Sequence, residues 1–206
     1  FKCFNGWKTQ ARSSEVRAKS RLLVGPWTHS LIGSAEPFGD VEFGPQAAVD
    51  MPTEHLRWYD QRLRGIDTGI DDELPVRIFV MGENRWRSEA EWPLARTRYT
   101  AYYLHSQGEA NSLLGNGSLS LEAPLDEPVD SFKYDPLEPV PTLGGQSMFI
   151  GNTGPRDRQE LQQRRDVLVY STPPLAEDVE VTGRVELKLF AASSARDTDF
   201  TATLVD

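Results

Sequence analysis

An apolar run near the start of the chain predicts a buried strand that leads to a histidine. Leu22–Val24 is short and apolar and ends on a β-branched residue, which is typical of a strand covered on both faces. Gly25 and Pro26 end the strand, because proline has no N–H to donate to a sheet ladder. We therefore expect His29 in a loop beyond the carboxyl end of the strand, where catalytic groups gather in open α/β sheets. By position and chemistry alone, such a histidine is more often structural than catalytic.

The strong helical pattern of the chain lies at residues 50–65. Leu56, Tyr59 and Leu63 are three and four residues apart, which predicts one apolar helix face. Gly65 suits the position just after the helix, since glycine adopts the left-handed conformation that often ends one.

The segments around this helix have different patterns. Residues 30–50 are rich in glycine, proline and acidic residues and predict an irregular surface loop beside His29. Gly65–Glu73 contains several carboxylates but lacks the spacing of a calcium loop, so we expect a solvated linker. Val76–Gly82 predicts a second strand.

The pattern changes at about residue 96 to short apolar segments separated by glycine- and proline-rich turns. Val181, Val185 and Leu187 alternate with polar residues, as in a half-buried strand. Such strands favour a β-sandwich or jelly roll. We predict two domains, residues 1–95 and 96–206. Strands in the second are expected at residues 99–105, 118–122, 167–171, 179–191 and 200–204.

Composition narrows the classes of partner. The 206 residues carry a net charge of −9 without a basic run, so nucleic acid and anionic membranes are poor partners. Cys3 is the single cysteine, which excludes an internal disulfide and Cys-x-x-Cys metal motifs. No apolar run approaches the roughly 20 residues of a membrane span. We expect a cytoplasmic protein with no cofactor and no metal.

A serine hydrolase needs a nucleophile, a base and an acid that orients the base. The Gly-x-Ser-x-Gly elbow of α/β-hydrolases is absent from the sequence, and Glu15 is the only carboxylate before His29. If His29 is a triad base, its serine and its acid therefore lie outside this chain. We expect a fragment of a longer protein that is inactive by itself.

The segment Leu23–Ser30 contains Gly-Pro-Trp-Thr-His. It resembles the Gly-Pro-Trp-[Thr/Ser]-His segment of the cocaine-esterase-like hydrolases, a family that includes X-prolyl dipeptidyl peptidases, α-amino-acid ester hydrolases and glutaryl acylases. The resemblance covers nearly the whole chain. It continues through Leu56–Asp60, Leu63–Gly65, Pro75–Gly82, Trp86-Arg87, Glu91–Pro93, Arg165–Tyr170 and Asp197–Asp206.

The resemblance implies a fold, an activity and a role for one residue. Residues 1–95 would be the C-terminal segment of an α/β-hydrolase domain, and residues 96–206 most of a jelly roll, so that the chain is mainly β. His29 would be the base of a Ser-His-Asp triad that acts by acyl transfer. The expected substrate is a small ester, an amide or an X-Pro peptide, and the expected assembly is a homo-oligomer.

Two alternatives stay open at this point. The jelly-roll half could instead be a non-catalytic module for binding or oligomerisation, with aromatic residues such as Tyr102 and Phe132 facing a carbohydrate. Glu83, Asn84 and Trp86 could border the site of His29, although packing is the more common role for such residues.

Overall fold

A computed structural model describes residues 1–148 and 150–206. Its elements are short and are connected by long irregular segments. The helices are α1 Lys2–Gln10, α2 Ser14–Lys19, α3 Met51–Tyr59 and α4 Gln159–Gln162, and the strands are β1 Leu22–Val24, β2 Val76–Val80, β3 Arg85–Glu89, β4 Tyr103–His105 and β5 Ser118–Ser120.

Three strands form a mixed sheet in the order β1-β2-β3. β1 lies parallel to β2, with Leu22 opposite Val76 and Val24 opposite Ile78. β2 and β3 form an antiparallel hairpin, whose turn contains Asn84 with φ 51°. The two strands predicted in the first half of the chain are therefore confirmed, and they are neighbours in one sheet.

β2 separates two apolar clusters, because successive side chains of a strand point to opposite faces. Val76 and Ile78 pack with Phe4 on one face. The other face carries the Phe79 cluster, which consists of the buried residues Phe38, Phe43, Ala47 and Phe79 with Trp27, Leu31 and Trp86 packed against them. The segment 30–50, predicted as a surface loop, thus supplies three core residues, whose irregular spacing gives no periodic signal in the sequence.

The predicted helix is confirmed as α3. The Asp50 side chain caps it by accepting a hydrogen bond from the Thr53 N–H at 3.2 Å. The helix continues as a π-helical turn to Gly65, which has φ 65°. Its predicted apolar face is not buried, however, since Leu56 and Leu63 are 62% and 77% exposed. Nothing in the described chain packs over this face closely enough to cover it.

The α/β-hydrolase segment predicted for residues 1–95 is not found. Such a segment is built on a largely parallel sheet with helices on both faces. The sheet described here has one parallel pair and is continued by an antiparallel strand.

The second half contains fewer strands than predicted. β4 and β5 pair antiparallel, and single bridges join Asn111 to Leu168 and Ser118 to Ser171. Residues 179–191 and 200–204, predicted as strands, are irregular. Alternating apolar and polar residues are compatible with a sheet. A segment with this pattern forms a strand only when it is hydrogen-bonded to a neighbouring strand. The described residues do not complete a jelly roll.

Two further findings concern metal binding and membrane insertion. No cluster of three or more His, Cys, Asp or Glu side chains suited to a metal ion occurs in residues 1–148 and 150–206. In the same residues, every helix is too short or too polar to cross a bilayer.

Candidate functional site

His29 lies where the sequence predicts it, in the loop that follows β1. It opens a short 3-10 turn, His29–Leu31, closed by the Leu31 N–H donating to the Thr28 carbonyl at 3.3 Å. The residue is exposed. In the described part of the chain, no carboxylate is hydrogen-bonded to its ring. Among the described residues, His29 is therefore an accessible histidine with no acid placed to orient its ring.

Two cavities meet at the loop Trp27–His29. The first, of about 280 Å³, is lined mainly by apolar side chains of β1 and its surroundings, among them Leu23, Val24, Ile32 and Met51. The second, of about 360 Å³, is lined by the same loop together with Gly145–Met148 and Gly154. His29 borders both cavities, so a molecule bound in either would lie close to this residue.

Residues 145–148 and Gly154 form a wall of the second cavity that no local pattern in the sequence predicts. It is held beside His29 by Asp40, which accepts hydrogen bonds from the Asp157 N–H at 2.9 Å and from Arg156 at 2.7 Å. These two bonds lower the pKa of the Asp40 carboxyl. The preceding Gly39 has φ 68°, and a Cβ there would come within 1.9 Å of the Pro155 carbonyl oxygen. Only glycine allows the two backbone segments to come this close. No local sequence pattern predicts the contact.

Ser147 contributes to the wall of the second cavity. It does not stand in a nucleophile elbow, because Phe149 occupies the place of the final glycine in Gly-x-Ser-x-Gly. A triad around His29 is not assembled by the geometry described here.

The three residues suggested as a border of the His29 site do not line it. Glu83, Asn84 and Trp86 line neither cavity. Trp86 packs against the Phe79 cluster and lies 5.6 Å from Trp27, ring centroid to ring centroid. The interpretation favoured from the sequence is confirmed for Trp86.

A second histidine has the distances of a catalytic triad without its chemistry. His105 Nδ1 is 2.7 Å from Glu127 Oε1, and His105 Nε2 is 3.0 Å from Ser120 Oγ. The Glu122 carbonyl oxygen also lies 2.9 Å from Nε2. When the ring is protonated, both nitrogens donate, one to the Glu127 carboxylate and one to the Glu122 carbonyl. The bond to Glu127 favours this charged form and raises the pKa of His105. In the charged form the ring has no lone pair with which to act as a base toward Ser120.

We expect the His105–Glu127 hydrogen bond to hold β4 to the segment that carries Glu127 in a pH-dependent way. The folded pKa of His105 is raised above 6.5, so its stabilisation is complete below pH 6.5 and fades as pH rises through the folded pKa. We expect the Ser106 amide, which donates to Glu127 at 3.1 Å, to exchange hydrogen faster at pH 9 than at pH 6, after correction for intrinsic exchange. The variant His105→Gln should lose this dependence. An unchanged dependence in the variant would contradict the assignment.

Comparison with known proteins identifies the family of the chain. Residues 68–206 match the X-Pro dipeptidyl-peptidase C-terminal non-catalytic domain. The chain belongs to this family.

Similarity to individual proteins extends over more of the chain. It is 45% identical over 193 residues to a cocaine esterase from Rhodococcus sp. (strain MB1 Bresler), covering 92% of this chain and 33% of the relative. It is 31% identical over 191 residues to putative serine esterases from Mycobacterium bovis and Mycobacterium tuberculosis, covering 91% of this chain and 28% of each relative. The chain thus spans about a third of the length of these relatives.

These findings confirm the resemblance and part of what it implied. Domains of the matched family are β-sandwiches, as predicted for the second half of the chain. The match begins at residue 68, so the boundary between residues 95 and 96 stays a prediction. His29 lies outside the matched domain, and its catalytic role also stays a prediction.

Proposed function

We propose that this chain is part of a serine hydrolase in which His29 is the base of a Ser-His-Asp triad. The observation that carries the proposal is the place of His29, exposed at the carboxyl end of β1 and bordering two cavities. The names of its relatives, which are esterases, support the same reaction class. The serine and the acid would come from the part of the protein that the relatives have in addition.

The reaction would be acyl transfer. His29 takes the proton of the serine hydroxyl as the oxygen attacks the carbonyl carbon, and later returns it to the leaving alcohol or amine. The ring must be neutral to accept that proton. The apolar lining of the first cavity, with Leu23, Val24 and Met51, suits an uncharged acyl group of a small ester, an amide or an X-Pro peptide.

The proposal predicts that the 206-residue chain has no esterase activity by itself, because one member of a triad gives no activated nucleophile. The complete protein should hydrolyse p-nitrophenyl acetate, whereas the 206-residue chain should release p-nitrophenol at the buffer rate. The chain carrying His29→Ala is the matched control for contaminating activity. Turnover by the chain that disappears in the control would show that its residues form a complete site, and would overturn the division proposed here.

The second candidate function is a non-catalytic module for binding or oligomerisation. It is favoured by the family description for residues 68–206, which names a non-catalytic domain. The two candidates are compatible if residues 68–206 support a site to which His29 contributes. One experiment distinguishes the two candidates. If the chain is only a non-catalytic module, the complete protein keeps its activity when His29 is replaced.

A further inference from the structure

The loop that carries His29 is held on both sides by one neighbouring segment. The Trp27 indole N–H donates to the Ala47 carbonyl at 2.9 Å, and the Val49 N–H donates to the Gly33 carbonyl at 2.9 Å. These bonds lie two residues before and four residues after His29. The position of residues 45–49 therefore determines the position of the loop.

Residues 45–49 are in turn held by the β2–β3 hairpin. The Trp86 indole N–H donates to the Gln46 carbonyl at 2.8 Å. The Gln46 side-chain amide donates to the Asn84 carbonyl at 3.1 Å. Ala47, whose carbonyl accepts the bond from Trp27, is 1% exposed. Both ties come from the family-matched domain, which begins at residue 68.

The Trp86 ring is itself fixed from several directions. Its centroid lies 5.3 Å from Phe79 in an edge-to-face arrangement and 5.6 Å from Trp27. The Arg77 guanidinium lies 4.7 Å from the ring centroid, within the range of a cation–π interaction. A ring restrained in this way can transmit the position of the hairpin to the 45–49 segment.

We propose that Trp86 is a positioning residue, which holds His29 in place through residues 45–49 and Trp27. The matched domain would then take part in catalysis without touching the substrate. This inference rests on the proposed role of His29. It assigns to Trp86 a contribution to turnover, since small displacements of a catalytic group cost rate more than they cost binding.

The test compares Trp86→Leu with Trp92→Leu in the complete protein. Trp92 is a matched control, because it stacks on Phe1 and packs on the opposite cluster. For Trp86→Leu we expect kcat to fall about tenfold with KM within about twofold. Amides of residues 28–31 should also exchange hydrogen at least about tenfold faster. The control should change neither quantity. Trp86→Phe keeps an aromatic ring but loses the indole N–H that donates to Gln46, so it should recover only part of kcat.

Two outcomes would overturn the inference. One is equal amide exchange at residues 28–31 in Trp86→Leu and Trp92→Leu, and the other is a similar fall in kcat in both variants. Failure of the proposed function gives a different result. Full activity of His29→Ala would remove His29 from catalysis, while the exchange data would still decide whether Trp86 holds the loop.

Discussion

Replacing His29 by alanine in the complete protein is expected to lower kcat for p-nitrophenyl acetate by about 10⁴-fold, the cost of losing a triad member. KM should change little, because the imidazole acts on the proton that moves in the transition state. His29 is exposed, so the substitution should leave the free energy of unfolding within about 0.5 kcal/mol of the original value.

His55→Ala is the matched control for this experiment. His55 is also an exposed histidine, on α3, and it lines neither cavity at the His29 loop. It should retain full activity. If His29→Ala kept more than about a tenth of the original kcat, the imidazole would not be the base.

Replacing Phe79 by alanine is expected to lower the free energy of unfolding by about 3 to 5 kcal/mol, the usual cost of removing a buried phenylalanine ring. Phe79 is 8% exposed and makes edge-to-face contacts with Phe43 at 6.0 Å and Trp86 at 5.3 Å. Alanine would leave a cavity between the sheet and the segment that holds the His29 loop.

Urea unfolding of the complete protein, followed by tryptophan fluorescence, measures this loss. Trp27 and Trp86 belong to the same cluster and report its opening. Leu125→Ala is the control, because Leu125 is 99% exposed and its replacement should cost no more than about 0.5 kcal/mol. A loss below about 1 kcal/mol for Phe79→Ala would show that the cluster does not support the fold as described.

Helix α3 shows which structural features a local sequence pattern can predict. Its end at Gly65 depends on contacts within a few residues and was predicted from residue type. The fate of its apolar face could not be predicted, since the sequence shows that Leu56 and Leu63 share a face but not what covers it. The same limit applies to residues 179–191, whose alternation is clear and whose hydrogen-bonding partner is not.

The sequence by itself determined the position of His29, the two strands around it and the family to which the chain belongs. Each of these depends on short-range spacing or on a contiguous motif. Only the tertiary structure showed that residues 145–148 and Gly154 line a cavity beside His29, that Trp86 hydrogen-bonds to the 45–49 segment, and that His105 lies between Glu127 and Ser120. These contacts join residues from 15 to 117 positions apart. At such separations the packing of the folded chain decides which residues pair, and no local sequence pattern predicts the pairs.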